Sequence, residues 1–110
     1  MGIVRLAART DSNHEAVLTA FRRLGCTVVS THAIGHGFPD LIVSQRSRTD
    51  GLGSVSYLVE IKDGTKSPSR RKLTPDEAEF HAHWRGKIYV VQSVDDVPGI
   101  IRGATMEEER

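Results

Sequence analysis

Gly35-His36-Gly37-Phe38-Pro39-Asp40-Leu41-Ile42-Val43 opens the stretch that decides this fold, and Tyr57-Leu58-Val59-Glu60-Ile61-Lys62 closes it. Asp40 stands at the head of an apolar run, after a turn whose glycines can take backbone angles closed to other residues. Glu60 and Lys62 flank Ile61 at the end of a second such run. Residues i and i+2 of a strand project to the same face. Glu60 and Lys62 therefore point together, and adjacent pairing of the two runs brings Asp40 beside them. Two acids and a lysine converging at strand ends are chemistry that a hydrophobic core does not call for.

Working outward, Thr10-Asp11-Ser12-Asn13 is rich in helix-capping types and predicts a helix start. Val17, Ala20, Phe21 and Leu24 follow at i, i+3, i+4 and i+7, one buried helical stripe, with Gly25 ending the helix. Cys26 to Thr31 is short and β-branched, a first strand. The second strand runs from Asp40 to about Gln45, the polar stretch Arg46 to Gly53 makes a long hairpin loop, and the third strand spans about Ser54 to Lys62. Asp63 to Leu73 is a polar, basic crossing. Thr74-Pro75-Asp76-Glu77 predicts a second helix, with threonine at N-cap, proline at N1 and a capping box closed by Glu77. That helix reaches about Trp84, and Lys87 to Gln92 is a fourth strand. Ser93 can cap a last short helix, where Pro98 and Gly99 blur the extent. The order is αβββαβ. The crossover through the second helix must be right-handed, which makes strands three and four parallel; the earlier strands pair antiparallel, so the fold class is α/β with a mixed four-stranded sheet.

A chain of 110 residues with 38% apolar and 26% charged residues suits one globular domain, here 1–110, with an arm over 1–9 and an acidic tail over 103–110. The formal charge is only +1, yet Glu107, Glu108 and Glu109 mask a more basic body. Lys66, Arg70, Arg71 and Lys72 cluster directly after the second motif, with further pairs at Arg22-Arg23 and around Arg46 and Arg48, the footprint of a polyanion binder. A single cysteine, Cys26, forms no internal disulfide and reads as a small buried residue. No zinc-finger spacing, leader or membrane-length apolar run is present, so the expected setting is a cytoplasm, with no membrane partner.

Asp40 after Gly37-Phe38-Pro39, Val59-Glu60-Ile61-Lys62-Asp63-Gly64, and Leu73-Thr74-Pro75-Asp76 with Phe80-His81 and Trp84-Arg85-Gly86, taken in this strand order, resemble the PD-(D/E)XK nuclease superfamily. Within it the chain is similar to small phage and bacterial proteins related to Holliday junction resolvases and to VRR-NUC domains, over roughly residues 11–97. The resemblance implies a restriction-endonuclease-like fold and an endodeoxyribonuclease of a bacterial or phage-infected cell. It further implies Mg²⁺, with Mn²⁺ as a substitute, held by Asp40, Glu60 and the Ile61 carbonyl, with Lys62 acting on the attacking water. Two carboxylates plus water and phosphate are a usual shell for Mg²⁺. Branched DNA is the implied substrate, and paired cuts across a junction call for a homodimer. A nicking or single-strand-directed nuclease, and a DNA-binding module without catalysis, are the alternative readings.

Many relatives add an acid from the first helix. At 100° per residue Glu15 points nearly opposite the apolar stripe, whereas Asn13 and His14 lie near its edges. His14 stands where resolvase relatives place the glutamate, so His14 or Asn13 is expected to contact a metal-bound water or a DNA phosphate. Relatives often carry glutamine where this chain has Glu77; a glutamate there could assist at the site, although capping is the simpler role. His36, in the turn, is a candidate phosphate contact. Lys66, Arg70, Arg71 and Lys72 are expected to hold the DNA backbone. His32 carries no metal meaning from its spacing to His36, and His81, His83 and Trp84 read as helix surface and packing residues.

Overall fold

The computed structural model of the chain describes residues 12–47 and 53–108. The chain runs α1 (His14–Arg23), β1 (Thr27–Ser30), β2 (Leu41–Arg46), β3 (Ser54–Ile61), α2 (Pro75–His83), β4 (Ile88–Val91) and α3 (Val97–Glu108). Single 3₁₀ turns occupy His32–Ile34, Pro68–Arg70 and Val94–Asp96. The sheet order is β1-β2-β3-β4, antiparallel except for the parallel β3/β4 pair, as the crossover through α2 requires.

One face of the sheet carries the core. Val28, Leu41, Val43, Tyr57, Val59, Ile61 and Val91 pack there with Val17, Leu18 and Phe21 of α1 and Val97 and Ala104 of α3. The strand period of two sends the alternate residues of β3, Leu58 and Glu60, to the other face. Both are buried as well.

Three expectations are corrected. Leu24 is the C-cap of α1 and 54% exposed, so the inward face is His14, Val17, Leu18 and Phe21. The register of the stripe runs one turn earlier than the apolar residues alone indicate. Asn13 is the N-cap by backbone, its carbonyl accepting from Val17 N, but its side chain makes no cap bond. Its amide donates instead to the Lys62 and Gln92 carbonyls at 3.2 and 3.1 Å, tying α1 to the ends of β3 and β4. Finally, the backbone over 103–108 is not a tail but the continuation of α3. Pro98 is tolerated in the first turn of that helix, where its missing N–H would have no intrahelical partner. The arm over 1–9 and Arg48 lie outside the described residues.

The turn before β2 is built from left-handed residues: Gly35 at φ 72°, His36 at 57° and Gly37 at 82°. Gly37 has a second reason to be glycine. A Cβ there would stand 2.3 Å from the Asp76 carbonyl oxygen, so the turn lies directly against the start of α2. That contact closes the wall of the site.

Candidate active site

Asp40 is fixed by its backbone before its side chain acts. Its carbonyl accepts from Thr31 N at 2.8 Å and its N–H donates to the Val59 carbonyl at 2.9 Å, while the Thr31 hydroxyl holds the Pro39 carbonyl at 2.7 Å. From that anchor, Asp40 Oδ2 accepts from Ile61 N at 2.8 Å, and Oδ1 meets His32 Nδ1 at 3.2 Å. Glu60, at 2% exposure, projects from β3 beside it, with its Oε1 buried and unpartnered. Lys62, at 8% exposure, sends Nζ to Glu77 Oε1 at 2.6 Å. From α2, His81 Nε2 stands 3.8 Å from Glu60 Oε1, and it too is buried without a partner.

These groups border a cleft of about 330 Å³ whose lining includes His32, His36, Phe38, Asp40, Glu60, Ile61, Lys62 and Glu77. Its electrostatics are those of too many acids in too little water. Burial, then the Asp40 and Glu77 carboxylates, push the Glu60 pKa well above the carboxylate range, and Lys62 offsets only part of this. Burial also works to raise Glu77, but the Lys62 ammonium and the Thr74 N–H outweigh it and hold that carboxyl low. Burial pushes His81 down, favouring the neutral imidazole.

The structure thus brings Asp40, Glu60, Ile61, Lys62 and His36 to one cleft. It does not bring the first helix there. His14 is buried, its Nε2 paired with Ser30 Oγ at 3.3 Å and its ring edge-on to His32 at 5.7 Å, so it stands behind His32. Asn13 spends its amide on backbone carbonyls. Glu15 is exposed on the outer side of α1. Lys66, Arg70 and Lys72 are exposed outside the cleft lining, while Arg71 donates to Gln92 Oε1 at 2.9 Å and serves the crossing's own structure.

Sequence reasoning missed His32 and His81, and for Glu77 preferred one of its two roles. Glu77 does close the capping box, accepting from Thr74 N at 2.9 Å, but the same oxygen holds Lys62. His81 follows Glu77 at i+4 and therefore shares its helix face, a signal that was legible once Glu77 was placed in the site. His32 sits in a 3₁₀ turn, where no period identifies its direction.

The donor set fits a hard divalent cation. Two carboxylates converge, one with an orphaned buried oxygen and a charge that its surroundings disfavour until a cation neutralises it. Among the described residues no three His, Cys, Asp or Glu side chains are arranged to hold one ion. Two carboxylates, with backbone, water and substrate completing the shell, are a usual arrangement for Mg²⁺.

Compared with models of known protein families, the sequence matches none, and no curated protein matches it. Among solved structures the chain is similar to a VRR_NUC domain, with TM-score 0.53 and 25% identity over 84% of this chain and 97% of that one. The four-stranded mixed sheet and its helices are those of an α/β, nuclease-like domain.

Proposed function

We propose that this protein is a metal-dependent endodeoxyribonuclease with Asp40, Glu60 and Lys62 as its catalytic core. The observation that carries the reading is the convergence of Asp40 and Glu60 with a buried lysine, in a cleft of a fold shared with a VRR_NUC domain. A bound Mg²⁺ or Mn²⁺ supplies polarisation of the phosphoryl oxygen and a nucleophile at neutral pH. Asp40 and Glu60 would hold it. Strand geometry favours the Ile61 carbonyl as a third donor. Lys62 N–H points to β4, so both backbone groups of Ile61 lie on the opposite edge, beside Asp40.

Lys62 orients the attacking water through Nζ and stabilises charge growing on the phosphate oxygens. Glu77 sets where that ammonium rests before substrate arrives. As the phosphate enters, Nζ exchanges part of its contact with Glu77 for the new anion. His36, exposed on the left-handed turn at the cleft, would contact the backbone of the bound strand. The exposed Lys66, Arg70 and Lys72 give a sequence-independent hold on flanking phosphates.

The finer reading is a structure-selective enzyme for branched DNA, acting as a homodimer to cut two strands. The exposed basic residues after β3 hold phosphates rather than bases in this reading, which favours shape over sequence recognition. The test is a cleavage panel of linear, nicked, flapped and four-way DNA with Mg²⁺, Mn²⁺ or chelator, run beside Asp40→Asn and Lys62→Ala. Metal-dependent cleavage of four-way DNA, lost in both variants, is the expected result. Cutting confined to nicked or single-stranded DNA would replace the branched-substrate reading, and binding without cleavage under either metal would make this a DNA-binding module.

A further inference from the structure

The two carboxylates of the site are each faced by a histidine from a different wall. On one side His32, in the turn after β1, brings Nδ1 to 3.2 Å from Asp40 Oδ1. On the other His81, near the end of α2, brings Nε2 to 3.8 Å from Glu60 Oε1. Both rings are largely buried, their side chains 16% and 17% exposed. The Glu60–His81 pair is the more telling, because both facing atoms are buried with no hydrogen-bond partner. Buried polar atoms are rarely left so, and two that face each other across less than one ångström beyond hydrogen-bond reach call for a state in which they meet.

We propose that His32 and His81 are positioning residues, each donating an N–H to one carboxylate so that Asp40 and Glu60 present their remaining lone pairs to a single cation. The proposal rests on Asp40 and Glu60 being the cation site. A carboxylate has about four lone-pair positions, so each can accept from a histidine and still face a cation. For Asp40 the arrangement is already formed: Ile61 N–H holds Oδ2 and His32 holds Oδ1. His14 braces His32 from behind, ring edge against ring. For Glu60 it is poised. A small side-chain rotation closes the 3.8 Å gap between Oε1 and His81 Nε2. Groups that orient metal ligands commonly influence affinity 10- to 100-fold, because a ligand free to rotate must be ordered by the ion itself.

The consequence separates orientation from folding. Mn²⁺ binding to the metal-free protein, read by electron paramagnetic resonance, is compared for wild type, His32→Ala, His32→Asn, His81→Ala, His81→Gln and Asp40→Asn, with melting temperature in chelator recorded for each. The alanine variants are expected to bind Mn²⁺ about 10- to 100-fold more weakly. His32→Asn and His81→Gln should recover part of the loss, since their amide nitrogens stand where Nδ1 and Nε2 stood. His81→Ala should melt in chelator within a few degrees of wild type, as its ring nitrogen has no partner to lose. If His32→Ala does not fold, His32→Asn carries that half of the test. Mn²⁺ affinity unchanged within twofold in the folded His32 and His81 variants overturns the proposal. A wild type that binds no Mn²⁺, or an Asp40→Asn variant that binds it as tightly as wild type, overturns the cation-site reading beneath it instead.

Discussion

Without divalent cation, Glu60→Gln should stabilise the protein at neutral pH although it removes a residue of the proposed active site. Glu60 is 2% exposed, its Oε1 has no partner, and it shares its surroundings with Asp40 and Glu77. Its folded pKa is raised above an unfolded value near 4.5, so folding takes up a proton between the two. That contribution is fully present below about pH 4.5 and is lost as the pH rises towards the folded value. Each pH unit in this window is worth about 1.4 kcal/mol, so three units set a ceiling of about 4 kcal/mol at pH 7.5. Partial compensation by Lys62 and relaxation of the site reduce the expected gain to about 2 kcal/mol, or about 8 °C in a chain of this size. Glutamine has the same shape and needs no proton, so the gain should vanish below about pH 4.5. Adding Mn²⁺ should invert the order. At about 100 times its Kd the ion stabilises wild type by about 2.7 kcal/mol, and the variant, without the charged ligand, gains little. Thermal melts followed by circular dichroism from pH 4.5 to 8.5, in chelator and then in Mn²⁺, read all of this. A Glu60→Gln variant that is less stable than wild type in chelator at pH 7.5, or that keeps the wild-type pH slope, would refute the reasoning.

Gly37→Ala combines a left-handed φ of 82° with a Cβ 2.3 Å from the Asp76 carbonyl oxygen, and should cost at least about 2 kcal/mol and most of the cleavage activity. Melts and cleavage rates check it; a fully active variant within about 1 kcal/mol of wild type contradicts the packing account. Glu77→Ala removes a charged partner of a buried lysine and a capping acceptor together, about 2 and 1 kcal/mol, whereas Glu77→Gln should lose only about 1 in total. Equal melting of the two variants would mean that a neutral acceptor at position 77 does not replace the carboxylate, so that its charge and not its oxygen holds Lys62. Replacing Lys66, Arg70 and Lys72 by alanine should weaken DNA binding at low salt and flatten its salt dependence, by about 0.9 in the log–log slope for each phosphate no longer neutralised. Arg71→Ala, by contrast, should lower the melting temperature, because its guanidinium holds Gln92.

The elements were legible where the sequence carries a period or a cap. Thr74 to Glu77 predicts the start of α2 because each residue type there acts locally, and the capping box forms as written. The inward face of α1 was read one turn off because His14 is a buried polar residue, which hydrophobic periodicity counts as surface, while the exposed cap Leu24 counts as core. Asp40, Glu60 and Lys62 could be brought together on paper because strand parity is a local rule. His32 and His81 could not. The first lies in a turn, and the second lies on a helix whose buried side is set by the polar groups it covers, Glu60 and Lys62, rather than by an apolar stripe. Non-local electrostatics leave no periodic trace.

The placement of the site follows from how the sheet divides at its end. β2 and β3 pair as far as Leu41 and Val59, with one further bond from Asp40 N to the Val59 carbonyl. Beyond this β2 has turned away, while on the other edge β4 continues to Lys62, whose N–H donates to Val91. Ile61 N–H is therefore left facing an edge with no strand. A buried amide without an acceptor costs about 1–3 kcal/mol, and Asp40 Oδ2 takes the place of the missing carbonyl. One carboxylate thus ends the ladder and opens the site, which is why the acid stands immediately before the strand rather than within it. The same logic decides how it should be tested. Asp40→Ala would orphan the Ile61 amide and mix a folding defect with a catalytic one, whereas Asp40→Asn keeps an oxygen for that amide and removes the charge. A chain in which Asp40→Asn melts as far below wild type as Asp40→Ala does would show that the charge, and not the acceptor, closes the end of the sheet.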